Sequence, residues 1–165
     1  MAKSGPLYWS VIDSPIGDLS LAVDDVGLCR LSMGKPEVEP GIVRDPVLLR
    51  AQEELKAYFA GELTEFSIPL SVPGGSDFER AVWQQLRRIP YGEMQTYGEV
   101  AKIVGDAGAA RAVGVACNHN PIAVIVPCHR VVGAGGKMVG FGGGIPRKRH
   151  LLELEARVSF ETLWG

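Results

Sequence analysis

The sequence is short of several things, and each shortage removes a class of function. Only three of its 165 residues are cysteine (Cys29, Cys117 and Cys128), and no CxxC occurs. An odd count without paired spacing argues against a disulfide framework and for a reducing, cytoplasmic setting. CNH at 117–119 and CH at 128–129 do not have the spacing of a zinc site. No apolar run approaches the roughly 20 residues of a membrane span. The N-terminal MAKSGPLYWS lacks the long apolar stretch of a secretory signal. Glycine is plentiful, yet neither common glycine-based phosphate motif is present. There is no GxGxxG, and around Gly136-Lys137 a P-loop would need glycine where Val131 stands and Ser or Thr where Met138 stands.

What is present suffices for a sizeable core, since 46% of residues are apolar. The net charge of −2 hides an asymmetry. Residues 1–75 carry 6 Lys and Arg against 11 Asp and Glu, and residues 76–165 carry 11 against 8. That places any polyanion-binding surface in the second part.

Residues 1–75 read as a β-rich domain with one helix. Strands are predicted at 7–13, 18–24 and 27–33, separated by the turn sequences SPIG and DDVG. A Pro/Glu-rich loop follows at 35–41. Asp45-Pro46 opens a helix with Leu48, Ala51, Leu55 and Phe59 on its apolar face and Gly61 as its stop. FSIPLSV (66–72) is extended, with Pro69 pointing to an edge or connector. VPGGS (72–76) marks the boundary.

Residues 76–165 read as mainly helical. Ser76-x-x-Glu79 is a capping box, followed by Phe78, Val82, Leu86 and Ile89 at helical spacing. Pro90-Tyr91-Gly92 ends that helix. Thr96-x-x-Glu99 is a second capping box, leading to Val100, Ala101, Ile103 and Val104. After Gly105-Asp106-Ala107 comes a third helix, 108–118. Two short helices joined by a glycine turn form a helix-turn-helix pattern. The second is made of small residues (Ala109, Ala110, Ala112, Gly114, Ala116) with Arg111 as its only charge, so it can approach another surface closely. PIAVIV (121–126) reads as a buried strand or extended segment. A loop at 133–144 holds seven glycines in twelve positions, either a connector or a wall of bare amides for a flat ligand. The last helix begins near Pro146.

The chemistry centres on IVPCHRVVG (125–133). A thiol is mostly protonated at neutral pH and needs a base or a positive field to become a nucleophile. His129 is a candidate to make Cys128 acidic, but neighbours on a strand or helix point apart, so either the chain turns there or a water joins the two. Glu153, Glu155 and Glu161 are candidates to orient the imidazole. An inert core thiol is the common fate of cysteine, and Cys29 and Cys117 fit it. Asn120 before Pro121 is a natural helix stop.

Three stretches carry a family likeness: SDFERAVWQQLRRIPYGEMQTYGEVA, GAARAVGVACNHNPIAVIVPCHRVVG and GFGGGIPRKRHLLELE. In content, order and spacing they resemble the O6-alkylguanine-DNA alkyltransferases. DSPIGDLSLAV and YFAGELTEF agree more loosely. The resemblance implies an α/β fold: a small N-terminal antiparallel sheet with a helix, ribonuclease-H-like, packed on a mainly helical C-terminal domain with a winged helix-turn-helix. It implies a monomer on double-stranded DNA containing O6-alkylguanine, and O4-alkylthymine as a further substrate, with cooperation between copies left open. The helix-turn-helix enters the minor groove, where little sequence is read, and the lesion is flipped out of the stack.

By the same resemblance, Cys128 takes the alkyl group irreversibly, once per molecule. Glu155 orients His129, which draws the thiol proton through a water. Asn120 supports the turn, and Tyr97 helps rotate the nucleotide and bonds the base. Arg111 fills the gap in the duplex. Ala110, Ala112, Gly114 and Arg130 complete the DNA contacts, and Val139, Phe141, Gly142 and Gly143 line the substrate pocket. No metal or organic cofactor is implied, and with only Cys29 in the N-terminal part the zinc of some relatives is expected to be absent. Phe141 stands where many members have Tyr, which bears on substrate range. A lesion binder without transfer, or a helix-turn-helix regulator, are the alternatives, and the first lacks the acceptor cysteine present here.

Overall fold

The computed structural model describes residues 8–35 and 45–164. The chain forms two compact units, one of residues 1–74 with 121–123, the other of 75–120 with 124–165.

In the first unit, β1 (Tyr8–Ile12), β2 (Leu19–Val23) and β3 (Leu28–Met33) form an antiparallel sheet in sequence order. Asp24 makes the tight return between β2 and β3: its Oδ1 accepts from the Val26 and Gly27 amides at 2.8 and 3.0 Å. Gly27 is required by proximity, since a Cβ there would lie 2.4 Å from the Pro69 carbonyl oxygen. That closeness lets Leu28 bond both Pro69 O and the Ser71 amide, at 2.9 and 2.8 Å, so 66–72 joins the sheet by one bridge rather than as a strand. Pro69, with no N–H to give, sits at an edge as its chemistry requires. The helix α1 (Pro46–Phe59) is capped by Asp45, whose Oδ1 accepts from the Val47 and Leu48 amides. It buries Leu48, Ala51, Leu55 and Tyr58. The predicted Phe59 is only half-buried, because the stripe closes at a three-residue step. Most of the Pro/Glu-rich loop lies outside the described residues.

The second unit is helical: α2 (Asp77–Leu86), α3 (Tyr97–Ile103), α4 (Ala110–Asn118) and α5 (Ile145–Trp164). Both capping boxes form, with Ser76 and Glu79, then Thr96 and Glu99, exchanging side-chain and backbone bonds. Val82, Leu86 and Ile89 are buried, although α2 ends at Leu86 and Ile89 packs from the following turn. Val100 and Ala101 face the core. Ile103 does not, being 53% exposed at the end of a helix of under two turns. Between α3 and α4 the Asp106 amide closes on Ala101 O at 2.9 Å, and Asp106 Oδ1 holds the Gly108 amide at 3.1 Å.

The segment 121–126, expected as a buried strand or extended piece, is buried at Ile122, Val124 and Val126 but forms a turn rather than a strand. Ile122 makes a single bridge to Leu31 within the first unit. The chain then turns, with Val124 at φ 70°, a value that breaks any extended run. Two-residue strands β4 (Gln95–Thr96) and β5 (Val131–Val132) pair in parallel. No helix among the described residues is long and apolar enough to cross a membrane.

Candidate active site

The acceptor segment is built on one carbonyl. Val126 O accepts from the Cys128 amide at 2.8 Å and from Asn120 Nδ2 at 2.7 Å. Between them Pro127 sits at φ −83°, ψ 70°, an inverse γ-turn that its ring favours. The next three residues, Cys128–Arg130, form one 3-10 turn, with the Arg130 amide on Pro127 O at 3.0 Å. About 120° per residue separates neighbouring side chains on such a turn. The turn therefore does not by itself bring the imidazole onto the thiol, and of the two routes the sequence left open the bridging water is the one that fits.

His129 is fully buried, and its Nε2 lies 2.8 Å from Glu155 Oε2. Arg130 embraces the same carboxylate, Nε to Oε1 at 2.8 Å and a terminal nitrogen to Oε2 at 2.9 Å, while its other nitrogen donates to Ile89 O at 2.7 Å. The Gly92 amide adds a longer bond to Oε1 at 3.4 Å. Burial alone would raise the Glu155 pKa, but the hydrogen bonds and charges of His129 and Arg130 outweigh it and hold the carboxyl below the usual carboxylate range. Burial pushes the His129 imidazole below its ordinary value, against the pull of Glu155. The ring is thus neutral at physiological pH, and with an ionised carboxylate at Nε2 the proton belongs on that nitrogen. The basic lone pair is on Nδ1, which is buried with no hydrogen-bond partner among the described residues.

Cys128 is buried too, and burial pushes its thiol up. A side-chain hydrogen bond from Asn120 and the charge of Lys148 oppose that without reversing it. A thiol so placed needs a base to become a nucleophile. The resting group is S–H, because desolvation of the anion outweighs its partners.

The glycine loop is fastened by side chains. The Tyr97 hydroxyl is 3.1 Å from Val139 O and 3.0 Å from Gly140 O. Lys148 Nζ donates to Val131 O at 2.5 Å and Val139 O at 2.9 Å, and lies 5.6 Å from the centre of the Tyr97 ring. An Arg147 guanidinium nitrogen donates to Gly143 O at 2.9 Å. Val139 and Gly142 are exposed, and Phe141 and Gly143 half-buried. Burial raises the Tyr97 phenol to about 12, so it stays a neutral donor.

On α4, Arg111, Ala112 and Val115 are exposed, Ala110 and Gly114 half-buried, and Val113, Ala116 and Cys117 face inward. A Cβ on Gly114 would stand 3.9 Å from the Tyr97 ring. Trp83 Nε1 donates to Ala116 O at 2.8 Å and the His119–Glu79 pair closes at 2.6 Å, so α2 holds the C-terminal end of this helix at two points.

The structure brings Cys128, His129, Glu155, Asn120 and Tyr97 into one unit and leaves Arg111 on the outer face of α4. Of the three candidate carboxylates, Glu153 and Glu161 are exposed and Glu155 alone is buried. Arg130 is corrected: its guanidinium is spent on Glu155 and Ile89 O, inside the unit rather than on a DNA-facing surface. Lys148 was missed. Its signal was present, since Lys148, Leu151, Glu155 and Val158 share one buried stripe of α5 at helical spacing. Among the described residues no group of three or more His, Cys, Asp or Glu could hold a metal.

Residues 77–157 match the family model described as 6-O-methylguanine DNA methyltransferase, DNA binding domain, and residues 7–72 match its ribonuclease-like domain. The methylated-DNA–protein-cysteine methyltransferase of Mycolicibacterium paratuberculosis is 54% identical over 161 residues, covering 95% of this chain and 97% of that protein. The crystal structure of Mycobacterium tuberculosis O6-methylguanine methyltransferase is 49% identical with a TM-score of 0.83, covering 97% of this chain and 100% of that one. M. tuberculosis OGT in complex with DNA is 53% identical with a TM-score of 0.83, covering 92% and 94%. Likeness over nearly the whole length, in both units, means that the chain belongs to the methylated-DNA–protein-cysteine methyltransferase family.

Proposed function

We propose that this protein repairs O6-alkylguanine in double-stranded DNA by moving the alkyl group onto its own Cys128. The observation that carries the reading is the His129–Glu155–Arg130 cluster beside the acceptor turn. It fixes a neutral imidazole whose basic nitrogen, Nδ1, is the one the carboxylate does not hold. His129 takes the Cys128 proton, through a water, when substrate arrives. Sγ bonds to the alkyl carbon as the carbon–O6 bond breaks. The electron pair stays with the purine, which takes up one proton, balancing the one the thiol gave to His129, and remains in its strand as guanine. The thioether does not hydrolyse, so the protein is consumed.

In this reading α4 enters the minor groove. Its exposed Ala112 lets the backbone close on the duplex, and Arg111 takes the space left by the flipped nucleotide. Tyr97 and the loop 139–143 receive the base. Burial keeps the thiol protonated at rest, so reactivity is reserved for the loaded site. The acceptor must be reduced to act, and we place the protein in the cytoplasm.

The test is an intact mass after mixing with O6-methylguanine duplex. One added methylene per molecule, on the peptide holding Cys128 and lost in Cys128→Ser, is expected. An unchanged mass with tight lesion binding would replace transfer by recognition alone.

A further inference from the structure

Lys148 is the only buried lysine among the described residues. None of the ion pairs among those residues includes it. Its ammonium is met instead by two carbonyl oxygens, Val131 O and Val139 O, and by the Tyr97 ring. Taking an ammonium out of water is costly, and carbonyl dipoles and a ring face supply no compensating charge. Such an arrangement leaves the ammonium with no carboxylate at ion-pair distance among the described residues.

Two features say where that charge is used. Val131 is the third residue after Cys128 and Val139 belongs to the glycine loop, so one ammonium bridges the acceptor segment to the loop. Tyr97 bonds the same Val139 carbonyl and the next one, Gly140. The position of residues 139–140 is thus set jointly by α3 and α5. The groups that feel the ammonium are the Cys128 and Cys117 sulfurs and the His129 imidazole, whose protonation it disfavours; burial in turn lowers the Lys148 pKa, against the pull of the two sulfurs.

We propose that Lys148 is a positioning residue for the transfer step: it ties the glycine loop to the acceptor segment and supplies the positive charge against which the Cys128 thiolate forms. This rests on the alkyl-transfer reading above. Lys148 keeps its proton throughout. The thiol proton goes to His129, the anion forms on Sγ within the field of the ammonium, and the pair separates again when Sγ becomes a neutral thioether. The charge therefore favours the reactive anion over both the resting thiol and the alkylated product.

The experiment compares wild type with K148M, K148R and K148Q by two measurements. The first is the rate of Cys128 carbamidomethylation by iodoacetamide against pH, read by peptide mass. The second is single-turnover methyl transfer from an O6-methylguanine duplex. Other groups facing the site are Tyr97 on α3, Cys117 on α4, His129 on the acceptor turn and Glu155 on α5. All keep their identity in the variants; because the Lys148 charge also lowers the His129 pKa, the His129 titration is followed by NMR in each variant, and a Cys128 midpoint that moves up while His129 becomes more basic belongs to the charge on Sγ. In K148M the midpoint is expected to move up by about one pH unit, a tenfold loss of thiolate at fixed pH, with transfer slowed by at least that factor. K148R, which keeps the charge, is expected to hold the midpoint. A purely structural lysine would change stability without moving the midpoint. If K148M does not fold, K148Q decides, since it can still donate to the carbonyls but carries no charge. Equal midpoints in K148Q, K148R and wild type would overturn the proposal. A wild type that gains no methyl from DNA would instead sink the transfer reading, and the iodoacetamide profiles keep the two failures apart.

Discussion

Replacing Glu155 by glutamine tests the charge cluster with almost no change of shape. The carboxylate is 1% exposed and accepts from His129 Nε2, two Arg130 nitrogens and the Gly92 amide. Each of these groups is a donor. A carboxamide offers one acceptor oxygen and an NH2 that must then face another donor, and it leaves the Arg130 charge buried and uncompensated. Removing one partner of a buried pair costs about 3–5 kcal/mol, a large share of the roughly 5–15 kcal/mol that holds a domain folded. At about 2–4 °C per kcal/mol for a chain of this size, Glu155→Gln should melt about 6–20 °C lower. Transfer should slow at least about tenfold, because the imidazole loses the anion that pins its proton to Nε2 and a general base contributes about 10²–10⁴ in rate. The assay pairs thermal unfolding with single-turnover transfer. The double variant R130M/E155L removes both charges and should regain most of the stability, as apolar replacements of buried pairs often do, but none of the rate. A Glu155→Gln protein that melts within about 2 °C of wild type, too little for a lost buried pair, and transfers at its rate would refute the reasoning.

Arg111→Ala should slow transfer from duplex about tenfold or more, the worth of one stacking contact of about 1–3 kcal/mol. Transfer from the free base O6-methylguanine should not change, and equal losses on both substrates would remove Arg111 from flipping. Stability should also fall in mild acid. Burial depresses the His129 pKa in the folded protein, so below the unfolded value of about 6.5 the unfolded chain binds the extra proton and gains. Glu155, depressed as well, adds a further loss below about pH 4.3. Urea midpoints measured from pH 7 to 5 should decline in wild type and decline less in His129→Gln, and parallel curves would contradict the assignment.

How much was legible in the sequence follows from the range of the forces. The caps of α1, α2 and α3 were readable because each is settled within three residues, by Asp45, Ser76 with Glu79, and Thr96 with Glu99. The three strands were readable because turn residues bracket runs rich in β-branched and apolar residues. What failed depended on distant partners. Arg130 looked like a DNA contact because nothing local reveals a carboxylate 25 residues away that takes its guanidinium inward. The segment 121–126 has strand composition, but Val124 at positive φ turns it. The need of the thiol for a base was readable, whereas its burial is a property of the folded unit. Lys148 was hidden by its own basic run, RKRH, where a solvated face is the ordinary expectation, and only the apolar stripe it shares with Leu151 and Glu155 marks it as inward.

The most direct measurement is the stoichiometry of transfer with labelled O6-methylguanine duplex in excess, followed by mapping of the labelled peptide. A plateau at one methyl per protein, all of it on Cys128 and none on Cys29 or Cys117, is the expected result. Continued turnover beyond one equivalent, or label on either other thiol, would contradict the claim that Cys128 is the acceptor and is consumed.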